Sequence, residues 1–392
     1  MVPIHLLFWL LILGVGYTYV LYALVLYLFS KKRASPPPSS THPSVLHIIA
    51  AYNEEEIIER KIRNTLELSY PQDKIQTVIV ADGSTDQTVT RAGAYLAIHT
   101  LYEPLRKGKI AAINRAVAAF PDAEILVFSD ANTLLNKNAL QKIVAHYHDP
   151  LVGGVAAEKK VMTDAVGLVR GEGLYWRYES FLKRLEADFH TVVGAAGELF
   201  SIRKELFQPL PEFAILDDLL LSLDICRKGK VVRYEAAAFA IEEPSLTMGD
   251  EQLRKIRIGA GAFQAMELTK DLMNPFVHGK LAFQYLSHRV MRWVFCPLAI
   301  PVIFLLNAWI VWKEPAPVFT AVLILQILFY SMAFIGWWGT RVGKKLPHLF
   351  HLPYYFLFLN AALWQGYQVF RRKAHTPLWE KSRRQYTHLN GL

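Results

Sequence analysis

Cysteine is scarce in this sequence, because Cys226 and Cys296 are the only two among 392 residues. Two cysteines exclude a disulfide framework and a cysteine-based zinc cluster. Cys296 lies in an apolar segment, so we interpret both thiols as reduced packing residues. The chain also shows no internal repeat. Hydrophobic residues make up 53% of it and the mean hydropathy is +0.20, which is high for a soluble protein and indicates membrane segments.

Formal charge is missing from the stretch Pro3–Phe29. As a helix this stretch would rise roughly 40 Å, enough to span a bilayer with tilt. The basic cluster Lys31–Arg33 follows the apolar stretch instead of preceding it, which excludes the layout of a cleaved secretory signal. By the positive-inside rule we expect the N-terminus outside and the chain after Arg33 in the cytoplasm.

The net charge of +9 does not indicate a nucleic-acid partner, because lysine and arginine gather at the ends of apolar segments. The clusters are Lys31–Arg33, Arg341–Lys345, Arg371–Lys373 and Lys381–Arg384. Such a distribution is typical of membrane topology and of contact with membrane lipids. The sequence therefore predicts a multi-pass protein of the cytoplasmic (inner) membrane.

Short β-branched runs alternate with helical patterns from Val45 to about Glu243. This alternation predicts an α/β domain with βαβ units around a mainly parallel sheet, whose ligands gather beyond the carboxyl ends of the strands. Longer helices are expected at Leu168–Phe189 and Leu216–Lys228. The domain should lie on the cytoplasmic side of the membrane.

Basic and apolar residues mix at helical spacing in Asp250–Leu268 and Leu281–Trp293, which predicts helices in the membrane interface. Spanning segments are expected at about Val294–Trp312, Val318–Trp338 and Leu349–Phe370. The last would carry the basic residues after it to the outside, so we expect it to be re-entrant or broken, with a cytoplasmic C-terminus.

These features divide the chain into six parts. They are an N-terminal transmembrane anchor (1–30), a Pro/Ser linker (31–44), an α/β domain (45–245), amphipathic interface helices (246–293), a C-terminal transmembrane region (294–370) and a basic tail (371–392).

Two predicted strand ends carry polar residues that suit a nucleotide. Ile48–Ile58 opens at Asn53 into a helix led by three glutamates, and Val78–Thr88 ends its strand at Asp82. Each has a structural alternative, which is helix capping for the first and an ordinary turn with an N-cap for the second. A carboxylate fixed beside a glycine, as at Asp82, also suits hydrogen bonds from a nucleobase or ribose.

A third stretch suits a diphosphate. Lys107 and Lys109 flank a glycine at a predicted helix start, which fits either a diphosphate seat or a solvated basic patch. A fourth stretch suits a metal, because Asp130 ends an apolar strand where a Mg²⁺ or Mn²⁺ ligand would stand. Asn132 takes the place of the second carboxylate of a D-x-D pair, and a strand running into a turn is the alternative.

A fifth stretch suits a general base. Asp217 and Asp218 begin a strongly apolar helix. They fit helix caps, and they also fit an adjacent carboxylate pair in which one pKa is raised enough for proton transfer.

In this order and spacing, the five stretches resemble family 2 glycosyltransferases of the GT-A fold, in the membrane-embedded branch of cellulose, chitin and hyaluronan synthases. The motifs cover Val45 to about Ala262, and the flanking apolar segments match in architecture. The resemblance implies a Rossmann-like GT-A domain inserted between transmembrane helices. It further implies inverting transfer of a hexose from a nucleotide-sugar donor, expected to be a UDP-sugar, to a growing polysaccharide.

The resemblance also assigns roles to residues. Ala51, Tyr52, Asn53, Glu54 and Asp82 would hold the uridine, Lys109 and Arg257 the diphosphate, Asp130 and Asn132 a Mg²⁺ or Mn²⁺ ion, and Asp218 beside Asp217 would be the base. Gly194 and Gly197 resemble a segment beside the acceptor, with a close-packed turn as the alternative. Processive members carry a tryptophan where this chain has Ile258, which does not favour processive polymerisation. The tail Thr376–Arg384 also resembles this branch.

Two other functions fit the same residues. One is transfer of a single sugar to a polyprenyl-phosphate or other lipid acceptor, which product length would separate from polymer synthesis. The other is a non-catalytic membrane component, which Asp82, Asp130 and Asp218 argue against. A homo-oligomer or a partner subunit would be needed if the spanning segments are too few to enclose a polymer channel.

Overall fold

The computed structural model describes residues 2–34, 36–37, 41–161, 168–243, 247–344, 346–374 and 376–378. The strands are β1 Val45–Ala51, β2 Ile75–Asp82, β3 His99–Glu103, β4 Ile125–Asp130, β5 Thr133–Leu135, β6 Val152–Val161, β7 Leu199–Arg203 and β8 Val231–Glu242. The helices are α1 Val2–Gly16, α2 Tyr22–Phe29, α3 Ile58–Leu66, α4 Thr88–Gly93, α5 Lys109–Ala119, α6 Ala139–Val144, α7 Leu168–Phe189, α8 Asp217–Arg227, α9 Met248–Leu268, α10 Pro275–Gln284, α11 Cys296–Lys313, α12 Pro317–Arg341 and α13 His348–Arg371. π-helical turns at Tyr17–Leu21 and Tyr285–Phe295 join α1 to α2 and α10 to α11.

The eight strands form one sheet in the order β3-β2-β1-β4-β7-β6-β8-β5. β1 to β4 are parallel to their neighbours among themselves, as the βαβ pattern predicts. β6 and β8 are also parallel to each other, whereas β7 runs antiparallel to both β4 and β6, and β5 runs antiparallel to β8. The sheet is therefore mixed, with parallel pairing the more frequent, as predicted. The reversal brings the amino end of β7 to the carboxyl end of β4, where Ser129 pairs with Leu199.

The core lies between the apolar strands and the helices that cover them. Every residue of β1 is buried, because this central strand is covered on both faces. α5 and α8 pack their apolar faces on one side of the sheet in the largest cluster of buried residues. The helices predicted at Leu168–Phe189 and Leu216–Lys228 are present as α7 and α8. Packing of α5 and α8 fixes where their first residues lie at the sheet edge.

The helix after the first strand begins later than the sequence suggests. Asn53 has a positive φ of 53°, and its Oδ1 accepts the backbone N–H of Thr85 at 2.8 Å. The N–H of Glu54 donates to Thr88 Oγ1 at 2.8 Å. These contacts hold a turn between the first two motifs, and the helix begins only at Ile58. The prediction of a helix led by Asn53 is therefore wrong.

Three helices are long and apolar enough to cross a membrane, namely Val2–Phe29, Pro275–Lys313 and Pro317–Arg341. The first and third agree with the predicted segments. The second is longer than predicted, since it includes Leu281–Trp293 as well as the apolar segment after it. The segment Leu281–Trp293 therefore continues directly into the apolar helix, whereas α9 is a separate helix. The location of both segments in the membrane interface stays a prediction.

The last helix, α13, is continuous in spite of Pro353, so the expected break is wrong. It is absent from the membrane-spanning helices found among the described residues. The first half of α13 packs on α12, and its second half packs on α9. The backbones of α13 and α9 come close at Gly366 and Gly259, because a Cβ added at Gly259 would lie only 3.3 Å from Cα of Gly366. Most of the predicted tail, beyond Leu378, and part of the linker lie outside the described residues.

Candidate active site

Four charged side chains meet at the sheet edge where the parallel strands end. Asp130 closes β4, Lys109 opens α5, and Asp217 and Asp218 open α8. Lys109 Nζ lies 2.9 Å from Asp130 Oδ1 and 3.2 Å from Asp217 Oδ2. Burial alone would lower the pKa of Lys109, but attraction to the three carboxylates outweighs burial and raises it, so the ammonium stays charged. The structure thus brings together residues that the sequence predicts for a diphosphate, a metal and a base.

Asp82 positions Lys109 indirectly, through hydrogen bonds to the backbone of the loop before α5. Its side chain is fully buried and accepts the backbone N–H groups of Lys107 and Gly108, the latter at 2.7 Å. Gly108 has a φ of +102°, a conformation that favours glycine, immediately before α5. Asp82 therefore fixes the loop that presents Lys109 and is not among the residues lining the cavity described below. Lys107, predicted beside Lys109, turns its Nζ toward Glu103 instead, at 3.8 Å.

The residues of the first motif, Ala51 to Glu54, have different surroundings. Ala51 is buried at the end of β1, and Glu54 lines the cavity. The guanidinium of Arg106 stacks on the Tyr52 ring at 3.5 Å from its centroid. Tyr52 and Arg106 thus form a flat, cationic surface beside the second motif.

Asp218 has the environment of a proton acceptor. Its Oδ1 accepts the N–H of Leu219 at 2.8 Å, so the residue also caps α8. Burial, and next the charge of Asp217, raise the pKa of Asp218 to about 7, although Lys109 opposes the shift. A carboxylate with this pKa is half protonated near neutral pH and is matched to proton transfer. Capping and proton transfer are compatible in one residue.

Asp130 and Asn132 fit a divalent cation. Asn132 Oδ1 is buried and accepts no hydrogen bond from the described residues. Within the same part of the chain no group of three or more His, Cys, Asp or Glu could hold a metal by itself. One carboxylate and one amide oxygen suit a hard ion that takes its other ligands from a diphosphate and water. Lys109 already neutralises one side of Asp130.

Arg257 lies in the same cavity as the carboxylates, as the resemblance implies. Burial lowers its pKa, while Asp217 and Asp218 oppose this effect. Its Nη2 donates to the backbone oxygen of Pro377 at 3.2 Å. The start of the tail therefore reaches the donor side of the cavity.

The two glycines predicted near the acceptor differ in their surroundings. Gly194 has a φ of +97°, and a Cβ there would lie 2.8 Å from Leu219 Cδ1, which indicates a close-packed turn. A Cβ at Gly197 would face Lys109 Nζ at 3.2 Å and Asp218 Oδ2 at 3.5 Å. Gly197 therefore keeps open the space beside the base, whereas Gly194 shapes the backbone.

One cavity of about 730 Å³ joins these residues to the apolar helices. Its polar lining includes Lys109, Asp130, Asn132, Asp217 and Asp218. Its apolar lining includes side chains of α13, namely Leu352, Phe356, Leu359 and Leu363. A polar reaction site and an apolar passage are thus parts of the same space.

Sequence reasoning missed several residues of this cavity. They are Tyr175, Trp176, Glu179 and Lys183 on α7, Glu198 before β7, and Arg289 and Arg292 in the second π-helical turn. The signal available was the number of charged residues that alternate with aromatic residues in the segment that forms α7. Trp176 supplies an aromatic face in a cavity where Ile258 replaces the tryptophan of processive enzymes.

Comparisons with known proteins agree with this geometry. Residues 47–210 match the family model described as Glycosyl transferase family 2. The Beta-monoglucosyldiacylglycerol synthase of Synechocystis sp. (strain ATCC 27184 / PCC 6803 / Kazusa) is 27% identical over 165 residues, which cover 40% of this chain and 33% of that protein. The "Probable glycosyltransferase YdaM" of Bacillus subtilis (strain 168) is 22% identical over 215 residues, 51% of each chain. The match thus spans a third to a half of these relatives.

A solved structure extends the likeness to nearly the whole chain. The mannosyltransferase PcManGT from Pyrobaculum calidifontis, in complex with GDP-Man and Mn²⁺, has a TM-score of 0.71 at 21% identity and covers 94% of this chain and 99% of that one. This likeness confirms the GT-A-type fold. Residues 47–210 are thus similar to glycosyl transferase family 2, and they lie in a chain of the GT-A-type fold.

Proposed function

We propose that this protein is an inverting hexosyltransferase that moves one sugar from a nucleotide-diphosphate donor to a lipid acceptor. The observation that carries the proposal is that one cavity is lined both by the carboxylates and by the apolar side chains of α13. An apolar passage to the reaction site suits the chain of a lipid better than the hydroxyl-rich surface of a polysaccharide. The relatives named as monoglucosyldiacylglycerol synthases support the same acceptor class.

The donor would occupy the polar end. Tyr52 and Arg106 offer a flat surface for the nucleobase, and Lys109 and Arg257 offer positive charge to the diphosphate. A UDP-sugar remains the expected donor from the family resemblance. Because PcManGT was solved with GDP-Man, guanosine donors belong in the same test.

Proton transfer and leaving-group stabilisation would occur on opposite faces of the sugar. Asp218 takes the proton of the acceptor hydroxyl while the oxygen of that hydroxyl attacks the anomeric carbon. Lys109 and Arg257 stabilise charge that develops on the diphosphate as the bond to it breaks. A Mg²⁺ or Mn²⁺ ion held by Asp130 and Asn132 would neutralise diphosphate oxygens when bound.

The protein would be a multi-pass component of the inner membrane, with its GT-A domain inserted between membrane-spanning helices on the cytoplasmic side. Three candidate spans and the basic cluster Lys31–Arg33 after the first support this orientation. With three spans and a non-spanning α13, the C-terminus lies in the cytoplasm. A homo-oligomer or a partner subunit is not needed for transfer to a membrane lipid.

Release of nucleotide tests the acceptor class. The purified protein in detergent with Mn²⁺ is offered a panel of UDP- and GDP-sugars, with and without dioleoylglycerol or a total bacterial lipid extract. We expect one donor whose nucleotide is released only when lipid is present. If the nucleotide is released equally fast with added oligosaccharides and without lipid, the result would instead favour growth of a polysaccharide. A polysaccharide is the product expected from the synthase-like branch.

The pH dependence of transfer should report Asp218. Since the base must be unprotonated, the rate should rise with pH through about 7 and then level off, in line with the pKa of this carboxyl. In Asp217→Asn the neighbouring negative charge is lost, so the midpoint of this rise should move to lower pH, although burial keeps it above the ordinary range. The measurement is a pH–rate profile at saturating donor. An unmoved midpoint in the variant would contradict the assignment.

Metal affinity tests the role of Asn132. Asn132→Asp adds a negative ligand, so Mn²⁺ binding without nucleotide should tighten by about ten-fold, as affinity follows ligand charge. Titration followed by electron paramagnetic resonance measures this affinity. The exposed Asn138→Asp is the matched control and should change nothing. If Asn132→Asp leaves the affinity unaltered, Asn132 does not coordinate the ion.

A further inference from the structure

The lining of the cavity includes three cations that the catalytic proposal does not use. We call Lys183, Arg289 and Arg292 the cation cluster. Lys183 lies on α7, and the arginines lie in the π-helical turn Tyr285–Phe295. Lys183 is 4% exposed and Arg292 is 5% exposed, and all three side chains line the cavity.

The carboxylates around the cation cluster do not balance its charge. Glu179 is the nearest, and it is shared between an ion pair with Arg292, a contact of 3.8 Å to Arg289 and one of 3.5 Å to His288. Glu186 is engaged elsewhere, because it accepts from Tyr22 and faces His288 Nδ1 at 2.6 Å. Glu179 is thus shared by the two arginines and His288. Lys183 forms no ion pair with the described residues, although Glu179, Glu198 and Glu158 attract its charge.

Several donors of the cluster remain available. In the part of the chain that the structure describes, Lys183 Nζ makes no hydrogen bond or ion pair, and its ammonium lies 5.7 Å from the centroid of the Trp176 ring. Arg292 Nε and Nη2 are buried and find no partner among the described residues. Buried donor atoms of charged groups are costly when they have no partner, so an anion that accepts hydrogen bonds from Lys183 Nζ and from Arg292 Nε or Nη2 would be stabilised here.

The surroundings decide which anion fits. Donors from a lysine and an arginine approach from two helices, which suits the several oxygens of a phosphate. Leu352, Phe356 and Leu359 continue the cavity as an apolar surface. Resting on the proposed transfer to a lipid, we propose that the cation cluster binds a phosphate in the headgroup of that lipid acceptor.

The cluster is placed to orient the reacting hydroxyl. Arg289 donates to the carbonyl oxygen of Val193 at 2.8 Å. A Cβ at Gly194 would lie 3.0 Å from Arg289 Nη2 and 2.8 Å from Leu219, the neighbour of Asp218. A phosphate held at the cluster would therefore stay bound while another part of the headgroup presents its hydroxyl to Asp218.

Binding of simple probes tests the proposal. The full chain in neutral detergent is titrated with dodecyl phosphate, dodecanol and inorganic phosphate, with binding followed by calorimetry. We expect dodecyl phosphate to bind at least about ten-fold more tightly than either other probe, as for hydrogen bonds to charged groups. Equal binding of dodecanol would overturn the phosphate, and equal binding of inorganic phosphate would overturn its lipid source.

Lys183→Met locates the site. This change keeps the apolar stem and removes the charge, so dodecyl phosphate should bind about ten-fold more weakly. Because Lys183 makes no hydrogen bond or ion pair with the described residues, the melting temperature without probe should not fall. The exposed Lys142→Met removes the same charge elsewhere and should bind dodecyl phosphate like the original protein. Unchanged binding in Lys183→Met, or the same loss in Lys142→Met, would overturn the site.

The proposed function has a separate readout. Dioleoylglycerol lacks phosphate. If the protein transfers sugar to this lipid and binds dodecanol as tightly as dodecyl phosphate, the phosphate site is overturned and the proposed transfer to a lipid is supported. Tight dodecyl phosphate binding that is lost in Lys183→Met, without transfer to any lipid, would support the site and overturn the acceptor class.

Discussion

Asp218→Asn is expected to lower the rate of sugar transfer by about 10²- to 10⁴-fold, the usual contribution of a general base. An amide cannot take the proton of the acceptor hydroxyl at neutral pH. Its oxygen can still accept the N–H of Leu219, so the start of α8 should persist. Initial rates measure the loss, and calorimetry with UDP measures whether the donor site is intact.

The comparison variant for this test lies on the same helix. Asp224 pairs with Lys228 at 2.7 Å and does not line the cavity. Asp224→Asn should therefore transfer sugar at the original rate. If Asp218→Asn loses nucleotide binding as severely as transfer, Asp218 supports the fold of the site and is not the base.

Lys109→Met should have the second largest effect, a loss of about 10²- to 10³-fold in kcat/KM, as when a donor to a developing negative charge is removed. The change removes the only cation in direct contact with Asp130 and Asp217 among the described residues. Both donor affinity and the rate with bound donor should fall. Steady-state kinetics and calorimetry with UDP and Mn²⁺ separate these two effects.

Lys107→Met provides the control for charge in the same loop. Lys107 Nζ faces Glu103 outside the cavity, while its backbone N–H is the group that Asp82 holds. Its side chain should therefore be dispensable for donor binding. Donor affinity that survives in Lys109→Met but falls in Lys107→Met would reverse our assignment of the two lysines.

The sequence predicts the site well where chemistry follows from strand order. Asp130 ends an apolar strand, and Lys109 and Asp218 begin helices. Parallel strands and the helices that follow them place Asp130 and Lys109 at one edge, as expected. Asp218 reaches the same edge although its helix follows the antiparallel β7. The antiparallel β7 was not predicted, because strand direction depends on pairing between distant segments and not on local pattern.

Side-chain partners across long chain separations were less predictable. The sequence suggests Asp82 as a ligand-binding residue. In the structure its carboxylate accepts hydrogen bonds from the backbone N–H groups of a loop about 25 positions later. Lys183 and Arg292 belong to segments that both look amphipathic, and only packing of α7 on the π-helical turn buries them together. The tail has a physical role in the structure through the bond from Arg257 to Pro377, which no local pattern indicates.

Mass spectrometry of the product tests the central claim most directly. The protein is placed in lipid nanodiscs with its donor and Mn²⁺, and the organic and aqueous phases are analysed after reaction. We predict a membrane lipid whose mass increases by one hexose, found in the organic phase and absent with Asp218→Asn. A ladder of water-soluble oligosaccharides, or a glycolipid formed equally by Asp218→Asn, would contradict the account.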